Sequence, residues 1–576
     1  MHKRWTLSAE DGHVVAQLRQ DLKIHPALCR ILSIRGVQSF QQAQLFFRPD
    51  LNQLHDPFLM KDMEKAVIRI LHAIDQNEKI LIYGDYDVDG TTSVGCMYHF
   101  LSGIYTKENI DYYIPHRYRE GYGISKQGIE YAIQTKANLV ISLDCGIKSA
   151  DLIQQAKENG IDFIVCDHHI PGDIIPPALA ILNPKQKDCN YPYKDLCGCG
   201  VGFKLITALA MKRGLSEDQY FCYLDLVATA IAADIVPLTG ENRVISFFGL
   251  KKANENPSIS IQAIMNVCGA KEKIQIQHLV FMVAPRVNAA GRMDDARKAV
   301  DLFIENDLTS AMKMAESLNA DNIDRKELDA SITKEAIDML DTLSANKRST
   351  ILYQPHWHKG VIGIVASRLI DRQYRPTILL TKSGDIVTGS ARSIIGFNIY
   401  DGLEKCKDLL IGFGGHYFAA GLTMAEENII EFTEKFEEVV VSTTEEKFFI
   451  PSILIDAELK LEDCSMSLYN IIKQMEPFGP ENPQPVFVAK KVRDTGNSKL
   501  LKDQHIKFQI QQGNVKISGI GFNMSQQFHI VRSGLPFDII FTLEENIWQG
   551  ITSIQVKVID IRYDGMEISK APAIQN

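Results

Sequence analysis

Short, almost wholly apolar segments alternate with helical patterns from residue 79 to residue 166, and this alternation constrains the fold more than any other feature. Strands are predicted at 79–84, 111–114, 138–143 and 162–166, and helices at 91–105, after Ser125 and at 148–158. Strands that are apolar on both faces are typical of a parallel sheet covered by helices on both sides. The sequence therefore predicts a doubly wound α/β domain, in which ligands bind beyond the carboxyl ends of the strands.

The chain of 576 residues is too long for a single hydrophobic core, and its sequence pattern changes several times along its length. We expect a mixed helical extension at 1–60, the α/β domain at 61–300, long charged connecting helices at 301–345, a smaller α/β domain at 346–447 and a small β-barrel at 450–566. The barrel prediction depends on alternating strands separated by Gly and Asn turns. Within the smaller α/β domain, the glycine-rich run 412–416 is expected to interrupt the alternation before a short strand and a helix at 426–442.

Acidic and imidazole side chains follow four of the apolar segments. They are Asp85, Asp87 and Asp89 after the first predicted strand, Asp144 after the third, Asp167, His168 and His169 after the fourth, and Asp234 at the end of a further apolar run. Because the carboxyl ends of parallel strands meet at one edge of a sheet, we expect these side chains to lie close together. Oxygen ligands with one or two histidines suit Mn²⁺ or Mg²⁺ better than Zn²⁺, and two such ions can clamp an in-line phosphoryl displacement.

The run DYDVDG at 85–90 also opens a calcium-binding EF-hand loop, but two observations argue against that interpretation. The twelfth loop position would be Cys96 instead of Glu, and a predicted strand, not a helix, precedes the loop. Any one Asp at the end of a strand is more often a helix N-cap or a turn former than a metal ligand. The full set at four successive element ends is much harder to explain by capping, so the metal site is the favoured interpretation.

Cysteine usage and the lack of an apolar leader favour a reduced, cytoplasmic protein. The 11 cysteines are scattered, and neither a secretory signal nor an apolar run of membrane-spanning length is recognisable. Cys197 and Cys199 form one close pair, and with only Cys189 nearby a glycine-rich turn is favoured over a zinc site. The net charge of −9 argues against a broad nucleic-acid surface but leaves room for a local basic groove.

Several longer motifs carry a resemblance to a known family. GDYDVDGTTS (84–93), SLDCGI (142–147), CDHH (166–169) and AADIVPL (232–238) resemble, in order, the four motifs of the DHH phosphoesterase superfamily. GSARS (389–393) and GFGGHYFAAG (412–421) resemble the DHHA1 domain that follows it. Four further motifs resemble those of one branch, the RecJ single-strand-specific DNA exonucleases. They are PHRYREGYGIS (115–125), PRVNAAGRM (285–293), WHKGVIGIVASRL (357–369) and EPFGPENPQPVF (476–487).

The resemblance covers about residues 60–565 and has definite implications for activity. It implies a Mn²⁺- or Mg²⁺-dependent 5′→3′ exonuclease that releases 5′-mononucleotides from single-stranded DNA, in DNA recombination and repair. The β-barrel would then be an OB-fold. A single-stranded DNA-binding protein and a helicase are the partners that the resemblance implies, and we expect a monomer with no membrane association.

The resemblance also implies roles for the acidic residues. The expected metal ligands are Asp85, Asp87, Asp89, Asp144, His168 and Asp234, with His169 as a further catalytic residue and Asp167 holding a neighbouring histidine in its tautomer. Many superfamily members have a histidine where Tyr83 stands, and a tyrosine is a poor ligand at neutral pH because its hydroxyl ionises near pH 10. One metal would therefore lack a protein ligand, or Asp85 would replace it, and Asp87 and Asp89 are the firmer assignments.

A second set of residues is expected to bind the DNA. The resemblance implies that Arg117, Ser390 and Arg392 hold the 5′ phosphate, that Arg286 and His416 lie nearer the scissile phosphate, and that Tyr122, Asn288, Arg292, Gly414 and Gly415 line the same site. Arg292 is nearly as good a candidate as Arg286. Basic and aromatic residues interleave at 116–123, which suits phosphate pairing and base stacking. The barrel lysines Lys499, Lys502 and Lys507 fit DNA contact and an ordinary charged sheet edge equally well.

Three competing functions remain at this point. A DHH phosphodiesterase of cyclic dinucleotides or very short oligonucleotides is usually shorter and lacks a tail like residues 450–565. A family II inorganic pyrophosphatase is disfavoured by chain length and by Tyr83. A catalytically inactive DNA-binding scaffold would have lost the acidic residues, which are all present here.

Overall fold

The computed structural model describes residues 3–293, 295–342, 346–566 and 568–571. These residues form two compact units. The first unit contains residues 51–449, and the second combines the residues up to 50 with those from 450 onward. No helix in the described part of the chain is both long and apolar enough to cross a membrane.

The N-terminal segment contains one strand and three helices, which are β1 (Arg4–Leu7), α1 (Gly12–Leu22), α2 (Pro26–Ile34) and α3 (Phe40–Phe47). Each helix starts at a side chain that accepts a hydrogen bond from a backbone amide of the first turn. Asp11 caps α1, His25 caps α2 and Ser39 caps α3.

The first α/β domain follows the predicted alternation. Its elements are α4 (Met63–Asp75), β2 (Ile80–Gly84), α5 (Val88–Ile104), β3 (Ile110–Tyr113), α6 (Lys126–Gln134), β4 (Leu139–Leu143), α7 (Ala150–Glu158), β5 (Asp162–Cys166) and β6 (Ala180–Leu182). The strand order is β3-β2-β4-β5-β6, and all pairs are parallel. Ile80 and Ile82 lie in the core on one face of the sheet, whereas Leu81 and Tyr83 lie in the core on the other. The predicted doubly wound parallel sheet is therefore confirmed.

A helical region connects the two α/β domains. It contains α8 (Gly198–Lys212), α9 (Asp218–Phe221), α10 (Leu224–Asp234), α11 (Gly240–Glu255), α12 (Ile259–Val267), α13 (Ile276–His278), α14 (Ala284–Met293), α15 (Arg297–Ile304) and α16 (Leu308–Leu340). A π-helical segment, Leu279–Val283, leads into α14. Long connecting helices were predicted at 301–345, and most of this range is the single helix α16, which has 33 residues.

The second α/β domain has a mixed sheet. Its elements are β7 (Thr350–Tyr353), α17 (Ile362–Arg372), β8 (Thr377–Ser383), β9 (Ile386–Arg392), α18 (Ile399–Glu404), β10 (Gly412–Gly415), β11 (Ala419–Met424) and α19 (Ile429–Thr443). The strand order is β10-β11-β9-β8-β7, and only β7 and β8 are parallel. The prediction that the glycine-rich run interrupts the alternation is wrong, because residues 412–415 form the edge strand of this sheet.

The C-terminal part closes into a barrel. Its elements are β12 (Ser452–Ile455), β13 (Ala457–Glu458), α20 (Met466–Lys473), β14 (Phe487–Asp494), β15 (Lys499–Leu501), β16 (His505–Gln512), β17 (Val515–Gly521), α21 (Phe528–Arg532), β18 (Phe537–Trp548), β19 (Ile551–Tyr563) and β20 (Ser569–Lys570). Five strands form a ring in the order β14-β16-β17-β19-β18, and β18 pairs back to β14. The predicted OB-fold-like barrel is confirmed.

The N-terminal segment shares its core with this barrel. Leu28, Ile31 and Leu32 of α2 are fully buried in one cluster with the barrel residues Phe487 and Phe541. In addition, β1 lies between β12 and β20 in a small parallel sheet. The described residues of 3–50 and 450–571 therefore fold as one body.

Candidate active site

Neighbouring elements of the first unit bring the predicted acidic residues to one place. Asp85 follows β2, Asp144 follows β4, and Asp167 with His168 follows β5. Asp87 and Asp89 lie at the start of α5, where the Asp87 carboxylate also accepts a hydrogen bond from the amide of Gly90 at 3.0 Å. Asp87 thus has the capping role that a single Asp at a strand end usually has.

Asp234 reaches the same place from a different kind of element. The apolar run that precedes it was expected to end at the rim of the sheet, and that expectation is wrong because Leu224–Asp234 is helix α10. Asp234 is the last residue of this helix, so its carboxylate approaches from beside the sheet. The potential ligand atoms form three groups, and within each group they lie within 4.8 Å of one another. The groups are Asp144, His168 and His169; Asp89, His168 and Asp234; and Asp85, Asp87 and Asp144.

His168 lies at the centre of the cluster. Its Nε2 atom is 3.2 Å from Asp144 Oδ1, 3.6 Å from Asp234 Oδ2 and 3.9 Å from Asp89 Oδ2. We call these residues, together with Asp85 and Asp87, the carboxylate cluster. Burial and the charge of His169 lower the pKa of His168 to about 3, so this imidazole is neutral and can act as a ligand.

Asp89 is held by the start of a helix. The amides of Gly198 and Cys199, in the first turn of α8, donate to its two carboxylate oxygens at 2.6 and 2.7 Å. A helix N-terminus carries partial positive charge and stabilises a carboxylate in this position. Gly198 also lies against Asp144, because a Cβ atom at this position would be 2.5 Å from the Asp144 Cβ and Oδ1 atoms. Residue 198 therefore has to lack a side chain for both acids to take their places.

The carboxylates of the cluster repel one another in a buried site. Burial, and then the charge of Asp87, raises the pKa of Asp85 well above its usual value and that of Asp89 to about 6. Burial and the charge of Asp89 do the same for Asp144, and they raise the pKa of Asp234 to about 9. Such a group is stable in its charged form only when positive charge lies between the acids.

Unpartnered atoms show that the cluster suits a metal. Within the described residues, Asp85 Oδ1, Asp144 Oδ1 and both ring nitrogens of His168 are buried and have no hydrogen-bond partner. Buried polar atoms normally have one. A set of carboxylate oxygens with one imidazole is the ligand chemistry of Mn²⁺ and Mg²⁺, so these residues fit the metals predicted from the sequence.

Asp167 contacts the backbone and His169. Its Oδ1 lies 2.8 Å from His169 Nδ1 and accepts the amides of His168 and His169, while Oδ2 accepts the amide of Ile147 at 2.9 Å. Burial raises the pKa of Asp167, but the hydrogen bond and charge of His169 outweigh it and lower the value to about 2. An ionised Asp167 keeps the His169 proton on Nδ1 and leaves Nε2 as the atom that faces other groups. This is the geometry expected for a residue that holds a histidine tautomer.

Tyr83 lies in the hydrophobic core. Its hydroxyl donates to the carbonyl of Gly123 at 3.1 Å and accepts the amide of Ser125 at 3.1 Å, and its ring stacks on Tyr113. Burial raises the pKa of this hydroxyl further above its usual value. Tyr83 therefore anchors the loop before α6, and its oxygen is not available as a ligand.

Three arginines gather beside the carboxylate cluster. Burial and the charge of Arg117 lower the pKa of Arg392, and the same two causes, followed by smaller ones, lower the pKa of Arg292 to about 10. Arg392 Nη1 donates to Ser390 Oγ at 3.0 Å. Among the residues that the structure describes, none of the three arginines forms an ion pair with a carboxylate. We call Arg117, Arg292, Arg392 and Ser390 the arginine cluster, and its repulsion suits a bound anion.

Arg117 joins the two clusters. Its guanidinium lies over the ring of Tyr86, with 4.6 Å from Cζ to the ring centroid, and Tyr86 stands between Asp85 and Asp87 in the chain. Burial and the charge of Asp87 raise the pKa of Asp85, and the charge of Arg117 partly offsets this rise. An anion held by the arginine cluster would therefore lie next to the acids.

The arginine cluster is built where the two α/β domains meet. The hydroxyl of Tyr118 donates to the backbone carbonyl of Arg292 at 2.8 Å, and Arg292 Nη1 donates to the carbonyl of Gly360 at 2.9 Å. Lys359 lies over the ring of Tyr118 at 4.6 Å. The first domain supplies Arg117 and the second supplies Arg392, so the pocket exists only when both are folded together.

The two arginines of the PRVNAAGRM motif separate in the structure. Arg286 donates to Asn319 Oδ1 at 3.0 Å and to the carbonyl of Met282 at 2.7 Å, so its guanidinium is bound on the side of α16. Arg292, one and two-thirds helical turns later, lies in the arginine cluster. Asn288 is half-buried one turn before Arg292 on α14.

His416 lies in the second α/β domain, in the turn directly after β10. Burial lowers its pKa, and the charges of Lys148 and His169 lower it further. A side chain at Gly415 would collide with the carbonyl of Ala419, whereas one at Gly414 would meet open space.

The hydroxyl of Tyr122 donates to the carbonyl of Asp144 at 2.8 Å and lies 3.1 Å from His169 Nδ1.

Two lysines near the clusters were missed in the sequence analysis. The charge of Lys185 acts on both Asp234 and His168, and that of Lys148 acts on His416. Both follow the carboxyl end of a strand by a few residues, after β6 and after β4. A search for basic side chains at the same sheet edge as the acids would have found them.

The remaining sequence candidates are three lysines of the barrel and the cysteines around the start of α8. Lys499, Lys502 and Lys507 are exposed on the barrel, in β15, in the turn after it and in β16. Cys197 caps α8 by accepting the amide of Gly200, and Cys197, Cys199 and Cys189 are all buried free thiols.

Comparisons with known proteins agree with this architecture. The model of the DHH family, N-terminal domain, matches residues 79–231, that of the DHHA1 domain matches residues 346–442, and that of the RecJ OB domain matches residues 455–560.

Individual relatives extend the match over nearly the whole chain. The single-stranded-DNA-specific exonuclease RecJ of Bacillus subtilis (strain 168) is 35% identical over 561 residues, which cover 97% of this chain and 70% of that protein. The protein of the same name from Salmonella typhimurium is 31% identical over 583 residues, which cover 97% of this chain and 100% of that protein. The crystal structure of RecJ in complex with Mn²⁺ from Thermus thermophilus has the same fold, with a TM-score of 0.85 at 24% identity over 99% of this chain and 81% of that one. This chain belongs to the RecJ family of single-stranded-DNA-specific exonucleases.

Proposed function

We propose that this protein is a metal-dependent exonuclease that degrades single-stranded DNA from its 5′ end and releases 5′-mononucleotides. The observation that carries the proposal is that two sites of opposite charge, the carboxylate cluster and the arginine cluster, lie next to each other. A buried carboxylate cluster with unpartnered ligand atoms adjoins, through Arg117, an arginine cluster without carboxylate partners in the described chain. A phosphodiester near a terminal phosphate is the substrate that needs both.

The arginine cluster is proposed to bind the terminal phosphate. Guanidinium groups bind phosphate oxygens in pairs, and three neighbouring cations together favour a group with about two negative charges. The hydroxyl of Ser390, next to Arg392, is free to turn toward the same oxygens. Because the pocket holds an end of the strand, cleavage would proceed from that end.

The carboxylate cluster is proposed to hold two Mn²⁺ or Mg²⁺ ions. Asp85, Asp87, Asp89, Asp144, His168 and Asp234 would be the ligands, and a RecJ structure with Mn²⁺ has this fold. When bound, such a pair of ions polarises a phosphate and supplies a nucleophile from water.

The protein itself contributes rigid positions. The first turn of α8 fixes both oxygens of Asp89, and the left-handed backbone of Asp144, with φ of 62°, aims its carboxylate at His168. Asp167 keeps the proton of His169 on Nδ1. Burial lowers the pKa of His416, which favours its neutral form, and a neutral imidazole can donate a hydrogen bond to a phosphate oxygen. These positions are set before the substrate arrives, which is what an in-line reaction requires.

The cellular context that we propose follows from the family. The protein would act in DNA recombination and repair in the cytoplasm as a monomer. A single-stranded DNA-binding protein and a helicase, which expose or protect single strands, are the proposed partners.

The test uses one oligonucleotide labelled at its 3′ end, with a 5′ phosphate, single-stranded or annealed to its complement. With Mn²⁺, we expect progressive shortening of the labelled single strand, release of 5′-mononucleotides and no shortening of the blunt duplex. Moving the label to the 5′ end should give labelled mononucleotide from the first turnover. A mock preparation from cells that do not express the protein serves as the control for contaminating nucleases.

Each alternative predicts a different outcome of this test. Tight DNA binding without cleavage by the unmodified chain would favour an inactive scaffold. Cleavage restricted to dinucleotides or cyclic dinucleotides would favour a small-substrate phosphodiesterase. Either result would overturn the proposed activity.

A further inference from the structure

An exposed group of aromatic side chains surrounds the glycine-rich strand β10. It consists of Tyr400 in α18, Phe413 in β10, and Tyr417 and Phe418 in the turn between β10 and β11. We call these four residues the aromatic patch. Tyr400, Tyr417 and Phe418 are 38%, 39% and 54% exposed. Grouped exposed rings mark binding sites more often than scattered exposed residues do.

The rings are held in place without being buried. Tyr400 and Phe413 pack with ring centroids 5.4 Å apart, and Tyr417 and Phe418 with centroids 4.6 Å apart. The amide of Ile399 donates to the carbonyl of Tyr417 at 3.0 Å, which ties the first pair to the second. The amide of Gly396 donates to the Tyr417 hydroxyl at 3.0 Å. The fold therefore presents these rings at the surface in fixed positions.

The aromatic patch continues the candidate active site. The carbonyl of Phe418 accepts the amide of Ser393 at 2.9 Å, and Ala419 pairs with Arg392 of the arginine cluster across β11 and β9. Beside the patch, β10 is an edge strand whose outer side has no neighbour in the described sheet. A Cβ atom at Gly414 would meet open space, so the surface there is bare backbone that an elongated ligand can approach closely.

We propose that the aromatic patch is a base-stacking platform for single-stranded DNA next to the arginine cluster. This inference rests on the proposed function and extends it to a subsite. Nucleobases are the occupant that fits, because flat rings stack on flat rings independently of sequence, and an exonuclease must accept every sequence. The bare edge of β10 leaves room for the sugar-phosphate chain, and Lys148 supplies positive charge near it.

The first test compares two substitutions of Phe418 with a matched control. Phe418→Leu keeps an apolar side chain but removes the ring, Phe418→Ala removes both, and Ile430→Ala truncates a 74% exposed side chain on α19 of the same domain. Binding is measured by fluorescence anisotropy with Mn²⁺ and a 5′-phosphorylated single strand whose first linkages are phosphorothioates, which slow cleavage. We expect both Phe418 variants to raise Kd about tenfold, since the loss of one base–aromatic stack has an effect of this order. Ile430→Ala should bind like the unmodified chain.

The second test locates the stacked base. A single abasic residue is moved along the oligonucleotide, one position at a time from the 5′ end. In the unmodified protein, the abasic residue should weaken binding about tenfold at one or two positions. At those positions the Phe418→Leu variant should bind the abasic strand as tightly as it binds the intact strand, because the ring and the base act as a pair. Thermal unfolding of each variant shows whether it is folded.

The outcomes separate this inference from the proposed function. Folded Phe418 variants that bind every oligonucleotide as tightly as the unmodified chain would refute the base-stacking platform, while cleavage by all of them would leave the exonuclease assignment intact. The same refutation follows if abasic positions weaken the Phe418→Leu variant and the unmodified chain equally. An unmodified chain that neither binds nor cleaves single strands would overturn both proposals.

Discussion

Replacing Gly198 by alanine should slow cleavage by moving the carboxylate of Asp144 without removing it. A Cβ atom at residue 198 would lie 2.5 Å from the Asp144 Cβ and Oδ1 atoms and 2.7 Å from its Cα atom. Ordinary carbon contacts begin near 3.4 Å. The start of α8 and the backbone of Asp144 therefore have to move apart by about 0.7–0.9 Å.

The size of the effect follows from this displacement. Overpacking of a buried contact costs about 1–3 kcal/mol of unfolding free energy. A misplacement of about 1 Å at a reacting centre reduces the rate about 100-fold, so we expect kcat to fall about 10- to 100-fold. The arginine cluster is untouched, and Kd for 5′-phosphorylated single strands should stay unchanged.

Gly200→Ala provides the matched control on the same helix. A Cβ atom there would be 3.4 Å from the nearest atoms of Leu196 and 3.7 Å from Cys197 Sγ, which are ordinary contacts. The assay is single-turnover cleavage of a 3′-labelled single strand at several Mn²⁺ concentrations, with thermal unfolding of each variant. If Gly198→Ala is destabilised but cleaves at the unmodified rate with the same Mn²⁺ requirement, the position of Asp144 does not matter for the reaction and our assignment of this residue is wrong.

Three further predictions address the metal, the phosphate and the pH dependence. Asp144→Asn should abolish cleavage but leave single-strand binding within about twofold by anisotropy, and residual Mn²⁺-dependent cleavage would contradict its role as a ligand. Arg392→Ala should raise KM about 10- to 100-fold for a 5′-phosphorylated strand, the value of one or two charged hydrogen bonds, and change KM little for a 5′-hydroxyl strand; equal effects on both would exclude a terminal-phosphate contact. In the metal-free protein, burial and the charge of Asp89 raise the pKa of Asp234 to about 9. The native state then binds more protons than the unfolded state between about pH 4 and pH 9, so stability falls as pH rises through this window. Saturating Mn²⁺ should remove this loss of stability at higher pH. The increase in Tm on adding Mn²⁺ should therefore grow from about pH 5 to pH 9, and an increase that is the same at every pH would contradict the prediction.

The acidic residues at the carboxyl ends of the first sheet were predictable because the sequence marks each of these strands clearly. β2, β4 and β5 are short apolar runs bounded by polar residues, and parallel strands place their carboxyl ends together whatever the surrounding detail. The same logic could not identify the element before Asp234. The run LVATAIAAD is apolar at nearly every position, so it has neither a period of two nor one of 3.6, and a buried helix cannot be told from a buried strand.

The choice between Arg286 and Arg292 depends on the orientation of one helix. Six residues along an α-helix correspond to about 600°, so the two side chains point to different sides of α14. Only packing against α16 decides which side faces the arginine cluster. Strand β10 was missed for another reason, since three of its four residues are glycine, a type depleted in strands, and its pairing with β11 comes from tertiary context.

The shared body of residues 3–50 and 450–571 sets an order for events during synthesis. The apolar faces of α1–α3 are completed by barrel strands that lie about 400 residues further along the chain. At about 5–20 residues per second, the ribosome needs about 20–80 s to make the intervening part. The first helices therefore leave the ribosome long before their partners exist, while residues 51–449 form a continuous stretch that can fold as it emerges. Substitutions that make α1–α3 more apolar should lower the yield of folded protein in the cell even where they stabilise the finished molecule.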